Sequence, residues 1–185
     1  MVEDKRVIKT RRNIEEAFLL LLEEMPFEEI TVKAIVERAI TVKGTFYNHY
    51  NDKYDLARTL IDRAVADYYD AMHDAFRQSD SSRHMLQQAR VSIEPLLPRI
   101  RTLGKIRTGS LDIWHDLQGV IVNTYCELAR RSGMKGDARD VEFQGRILSS
   151  VMLDNFEYVV EGDDPMSIER IVANFSHVAS VLSRA

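Results

Sequence analysis

A single cysteine, Cys126, stands among 185 residues. That excludes an internal disulfide and any zinc site built from several cysteines. Glycine (8) and proline (4) are too scarce for a low-complexity or disordered chain. Long apolar runs are missing as well. The longest, Ala17 to Leu22, falls far short of the roughly 20 residues that span a bilayer. No membrane partner is expected. The first residues, Met1-Val2-Glu3-Asp4-Lys5-Arg6, have no apolar core behind their charges, so no signal peptide is expected and the expected location is cytoplasmic. Enzyme signatures are absent too: there is no Gly-x-Ser-x-Gly, no glycine-rich phosphate loop and no His-Glu-x-x-His. The expectation is a protein that is not an enzyme.

What is present is an ordinary globular composition, 45% apolar and 29% charged, with a net charge of −4. The positions of the charges say more than their sum. Lys5, Arg6, Lys9, Arg11 and Arg12 follow one another without an acid between them, and Lys33, Arg38, Lys43 and Lys53 outnumber Glu37 and Asp52. The acidic surplus begins at Glu15 and continues through Glu29. Such clusters are ordinarily solvated faces, and they gain meaning only where a fold gathers them.

Periodicity predicts helices almost throughout, and no stretch keeps a period of two, so no sheet is expected. Ile8, Ile14, Phe18, Leu21 and Leu22 predict a first helix over residues 4–24, ended before Pro26. Thr31 has the chemistry to cap a short helix, Val32 to Arg38. Ala39-Ile40-Thr41 is a turn, Val42 to His49 a second short segment, and Asn51-Asp52 caps a long helix from Lys53 to Phe76. Further on, Ser79 to Ser82 is a polar break. A helix over residues 84–105 should be kinked or divided at Pro95 and Pro98. Helices over 111–131 and 138–161 and a last one from Pro165 to about Arg184 complete the chain. The expected architecture is all-α: a helix-turn-helix domain over residues 1–52, linked by the long helix to a helical domain over 53–185.

Two short helices joined by a three-residue turn form a helix-turn-helix, whose second helix can enter the DNA major groove. Phe18, Ile30, Ile35, Val36, Phe46 and Leu56 would make the small core beneath it. Lys43, Thr45, Asn48 and His49 have side chains that reach base edges and phosphates. Tyr47 and Tyr50 suit either phosphate contact or packing.

Ile30-Thr31-Val32, Ala34-Ile35, Ala39 and Lys43-Gly44-Thr45-Phe46-Tyr47-Asn48-His49-Tyr50, with Lys53 and Leu56, resemble the N-terminal signature of the tetracycline-repressor (TetR/AcrR) family. The resemblance covers residues 8–58. It implies a homodimer that binds a palindromic double-stranded DNA operator, with a C-terminal domain that binds a small-molecule effector and drives dimerisation. It implies DNA contacts from Thr31, Val32, Lys33, Val42, Lys43, Gly44, Thr45, Tyr47, Asn48 and His49, and a backbone anchor in Lys53. Gly44, with no side chain, would let the helix approach DNA closely. Two positions depart from the pattern. Ile40 stands where the turn usually has glycine, and Val42 where a Ser/Asn-type residue is usual. A β-branched Ile is poor at positive φ, so either the turn differs or it stores strain. Thr41 could take over the missing cap by a shift of one residue, and Val42 could meet a thymine methyl.

The C-terminal half gives weaker signals. Ile168, Ile171, Val172, Phe175, Val178 and Leu182 form an unbroken apolar stripe. Phe143, Ile147 and Val151 lie on the preceding helix, with Gly145, Ser149 and Ser150 between them. These helices either pack within one subunit or, as the resemblance favours, pair with their mates across a two-fold axis. Trp114, His115, Tyr125, Met152 and Phe156 are candidate pocket residues, although such a cluster is more often plain core. Asp112, His115 and Asp116 share a helical face, but without a second ligand cluster they read as salt-bridge partners, and no metal or cofactor is expected. The alternative to a regulator is a helical dimeric adaptor, or a small-molecule-binding protein, that has lost DNA binding.

Overall fold

The computed structural model describes residues 5–77, 88, 91–133 and 136–161, with side chains through Asp154. Among the described residues every regular element is helical, and the one backbone bridge, Arg107 to Asp112, is isolated. None of the described helices is long and apolar enough to cross a membrane.

Helix α1 spans Lys5–Glu24 and ends at Met25-Pro26, as the proline dictates. A 3₁₀ turn, Phe27–Glu29, leads to α2, Val32–Arg38. Thr31 caps α2: its hydroxyl accepts the Ala34 amide at 3.1 Å. After the turn at Ala39-Ile40 comes α3, Lys43–Tyr47, three residues shorter than the periodicity predicts. Helix α4, Lys53–Arg77, starts with Asp52 Oδ1 accepting the amides of Tyr54 and Asp55, both at 2.8 Å. Asp55 reaches back to accept the amide of Asn51, the residue before the cap, at 2.8 Å.

The expected division at the prolines is present. A 3₁₀ turn over Glu94–Leu96 carries Pro95, and α5, Leu97–Leu103, begins with Pro98 in its first turn. Helix α6, Ile113–Arg131, starts two residues later than expected, because Asp112 serves as its cap and accepts the Trp114 amide at 2.9 Å. Helix α7 is Ala138–Glu161. The last expected helix, with Ile168, Ile171, Phe175, Val178 and Leu182, lies outside the described residues.

The chain divides into two compact units. One comprises the residues through Asp70 together with Leu96–Asp116, and the other comprises Ala71–Pro95 and the residues from Leu117 onward. The division therefore passes through α4 rather than at its start.

In the first unit, Phe18, Ile30, Ile35, Val36, Phe46 and Leu56 are all buried. Phe27 joins them, edge-on to Phe18 with ring centroids 6.2 Å apart and to Tyr54 at 5.2 Å. In the second unit Gly145 of α7 faces α6. A Cβ on Gly145 would come within 3.3 Å of the Tyr125 ring, and Ser149 is fully buried.

Candidate nucleic-acid interface

The interface is built on α2, the turn and α3. Phe46 is the buried anchor of α3, in contact edge-to-face with Tyr47 at 5.5 Å and tilted against Tyr50 at 5.8 Å. With one side held by Phe46, the remaining positions turn outward. Val42, Lys43, Gly44, Tyr47 and Asn48 are exposed, while Thr45 and His49 are half-buried. On α2, Thr31 and Lys33 are exposed and Val32 is half-buried. Lys33 lies 3.8 Å from Glu37 on the same exposed face, a pair worth only a few tenths of a kcal/mol. A Cβ added at Gly44 would meet nothing within 4 Å. Nothing in the chain itself requires glycine there.

The turn departs from ordinary geometry where the sequence departs from the family pattern. Ile40 has φ 51°, the single positive φ at a non-glycine among the described residues, and it is 93% exposed. Of the two readings left open for this turn, the strained one holds. The shift of the cap to Thr41 does not occur. Val42 is the N-cap residue of α3 and makes no side-chain cap hydrogen bond, because valine has no acceptor to offer.

Lys53 does not point outward. Its ammonium donates to the carbonyls of Phe27, Glu28 and Ile30 at 2.8, 2.9 and 2.8 Å. It also lies 4.7 Å from the centroid of the Phe27 ring. An ammonium has three protons, so all its donors are engaged with the segment that enters α2. Burial lowers its pKa, against an opposing pull from Glu28. The expected phosphate anchor is thus an internal clamp in this arrangement, because the carbonyls of Phe27, Glu28 and Ile30 all lie within its reach.

Tyr50 resolves to packing. Its hydroxyl donates to Glu15 Oε1 at 2.8 Å, and Arg63 holds the same carboxylate at 2.8 and 3.1 Å. Burial raises the pKa of Glu15, but the hydrogen bonds from Arg63 and Tyr50 and the nearby Arg11 outweigh it and hold the carboxyl below its ordinary value. Burial and the Glu15 carboxylate push the Tyr50 hydroxyl well up. The network joins α1, the end of α3 and α4. Sequence reasoning missed Glu15 and Arg63. The available signal was that Glu15 falls on the same helical face as Phe18 and Leu22, where a charge requires a partner. Arg38 closes the other end of the motif with a bidentate pair to Glu24.

The candidate pocket residues do not share one compact unit. Trp114 and His115 belong to the first, Tyr125 and Met152 to the second, and the Phe156 side chain lies outside the described residues. Trp114 packs on Gly104, where a Cβ would come within 2.7 Å of the indole, and its Nε1 donates to the Gly104 carbonyl at 3.3 Å. Tyr125 donates to Gln144 at 2.8 Å, and His115 is exposed. Asp112 caps α6 and Asp116 pairs with Arg58 at 3.0 Å, so both carboxylates have structural partners. Among the dimer candidates, Phe143 and Ile147 are exposed and Val151 is half-buried.

Comparison with known proteins agrees with the N-terminal geometry. Residues 16–60 match the family described as bacterial regulatory proteins, tetR family. An uncharacterized HTH-type transcriptional regulator, YxbF, of Bacillus subtilis (strain 168) is 31% identical over 101 residues, 54% of this chain and 26% of that protein. The match thus spans about a quarter of the relative's length. Among solved structures, a gamma-butyrolactone receptor (ArpA-like protein) is similar with a TM-score of 0.54 over 97% of this chain and 99% of its own, at 19% identity. At that identity the likeness is one of fold. The helix-turn-helix segment, residues 16–60, is thus similar to that of the bacterial regulatory proteins of the tetR family.

Proposed function

We propose that the protein is a transcriptional regulator that binds a palindromic DNA operator as a homodimer and is released from it by a small molecule. The observation that carries this reading is the outer face of α3. Val42, Lys43, Gly44, Tyr47 and Asn48 are exposed side by side, and Gly44 leaves room for a close neighbour. Thr31, Val32 and Lys33 would contact phosphates beside them, with Thr45 and His49 at the flank of α3. In this reading Lys53 acts by fixing the entry to α2.

Dimerisation supplies the second half-site. Phe143 and Ile147 on α7 expose 64% and 40% of their surface, next to Leu148 at 38%, an apolar strip suited to a two-fold contact. Val151 continues the strip, and Ile168, Ile171, Phe175, Val178 and Leu182 would extend it. The two recognition helices would then sit about 34–36 Å apart, in successive major grooves. Release needs a ligand that favours a different spacing, with a coupling of roughly 1–3 kcal/mol. Helix α4 contributes residues to both units and is the element that would carry such a change. Tyr125 and Met152, in the second unit, are the residues through which a ligand would act.

The test is selection of randomised duplex DNA on the purified full chain. Enrichment of a palindrome with half-sites about one helical turn apart is the expected result. No enrichment over input would overturn the reading and leave a helical adaptor that does not bind DNA.

A further inference from the structure

We infer that Val42 is a specificity-determining residue that reads the C5-methyl group of a thymine in each operator half-site. The inference rests on the DNA-binding reading above and names the base that one exposed side chain selects.

Position 42 is poorly filled for folding. The residue there is the N-cap of α3, and its carbonyl accepts the amides of Thr45 and Phe46 at 3.0 and 3.2 Å. A side chain with an oxygen would add a cap, as Thr31 does for α2, whereas valine ranks among the weakest residues at such a position. Nor is Val42 retained as core, since it is 66% exposed. Two residues earlier the same combination recurs. Ile40 adopts a backbone conformation that suits glycine and exposes 93% of its surface. Two branched aliphatic side chains thus stand outside the fold at the turn that delivers α3, at a cost to folding at both places. Local rules broken without a gain inside the fold point to a partner outside it.

Chemistry narrows the partner. Lys43, next to Val42, and Asn48, at the end of α3, offer charge and hydrogen bonds, which suit phosphates and the polar edges of bases. Val42 offers neither donor nor acceptor. In the major groove the apolar group that a base pair presents is the thymine methyl. A valine at this position therefore favours A·T over G·C pairs by burial of that methyl. Hydrogen bonding plays no part in the choice.

The test uses the full chain and the duplex enriched from a randomised library, prepared with thymine or with deoxyuridine, which pairs identically but lacks the methyl. The expected result is a thymine fixed in each half-site, whose replacement by deoxyuridine weakens binding roughly fourfold per half-site, the worth of one buried methyl group. Val42→Ser should abolish that difference while raising the thermal midpoint, because serine restores the cap. Ile40→Gly should keep the methyl preference. Equal binding of the two duplexes by the wild-type chain would overturn the inference, as would a full methyl preference in Val42→Ser or its loss in Ile40→Gly. If no duplex is enriched from the library, the DNA-binding reading fails with it. Enrichment without a methyl effect sinks this inference alone.

Discussion

The two short helices of the motif are similar in length and are built on opposite terms. Helix α2 begins at a threonine that caps it, buries Ile35 and Val36, and ends in Arg38 clamped to Glu24. Helix α3 is entered through a strained isoleucine, starts at a valine that cannot cap it, and buries Phe46 alone. The first follows the local rules of helix formation, and the second breaks them twice within three residues. Where α2 is shaped by folding, α3 is held by its neighbours: Phe46 from below, the Tyr50–Glu15–Arg63 network from one end, and Lys53 indirectly through the lead into α2. A helix held in this way keeps its outer face available for a partner.

The comparison is broken most severely at Phe46. Phe46→Ala should cost about 3–5 kcal/mol, the range for a buried phenylalanine, read as a lower urea midpoint, whereas Tyr47→Ala on the exposed side should leave the midpoint nearly unchanged. A small effect at Phe46 would mean that α3 has support elsewhere. Lys53→Ala comes next. Loss of charged hydrogen bonds to three carbonyls should cost about 1.5–3 kcal/mol. DNA binding should weaken with it while the slope of log affinity against log salt stays as in the wild type. A slope shallower by about 0.9 would instead mark Lys53 as a phosphate contact. The smallest effects sharpen the contrast by their signs. Thr31→Ala should destabilise by about 1 kcal/mol, whereas Ile40→Gly should stabilise by about the same amount through relief of the left-handed strain. Two changes of the same sign would show that the turn carries no strain.

Much of this motif is legible in the sequence, and the reason is locality. The cap at Thr31, the stop at Pro26, the cap at Asp52 and the departure at Ile40 all depend on neighbours within four residues. The small core follows from helical spacing. The residues that escaped are those whose partners are remote in sequence. Tyr50 and Glu15 are 35 residues apart, and Lys53 and Phe27 are 26, so neither pairing has a local pattern to reveal it. The role of Lys53 misled for a further reason. A lysine ahead of a long helix has the chemistry of a phosphate anchor, and its inward turn depends on three carbonyls that lie 23 to 26 residues earlier in the chain. Likewise Gly145 and Ser149 show small spacing without showing whether a helix of the same subunit or of a partner lies opposite. In the fold Gly145 faces α6 of its own chain and Ser149 is buried, while Phe143 and Ile147 remain outside.

The central claim is that the outer face of α3 binds duplex DNA, and its most direct test is an affinity titration of the full chain against the enriched duplex over increasing salt. The account predicts a linear fall of log affinity with log salt, at about −0.9 per phosphate neutralised and several phosphates in all, reduced in slope when Lys33 and Lys43 are replaced by alanine. A response flat with salt, or one unchanged by those two replacements, would contradict it.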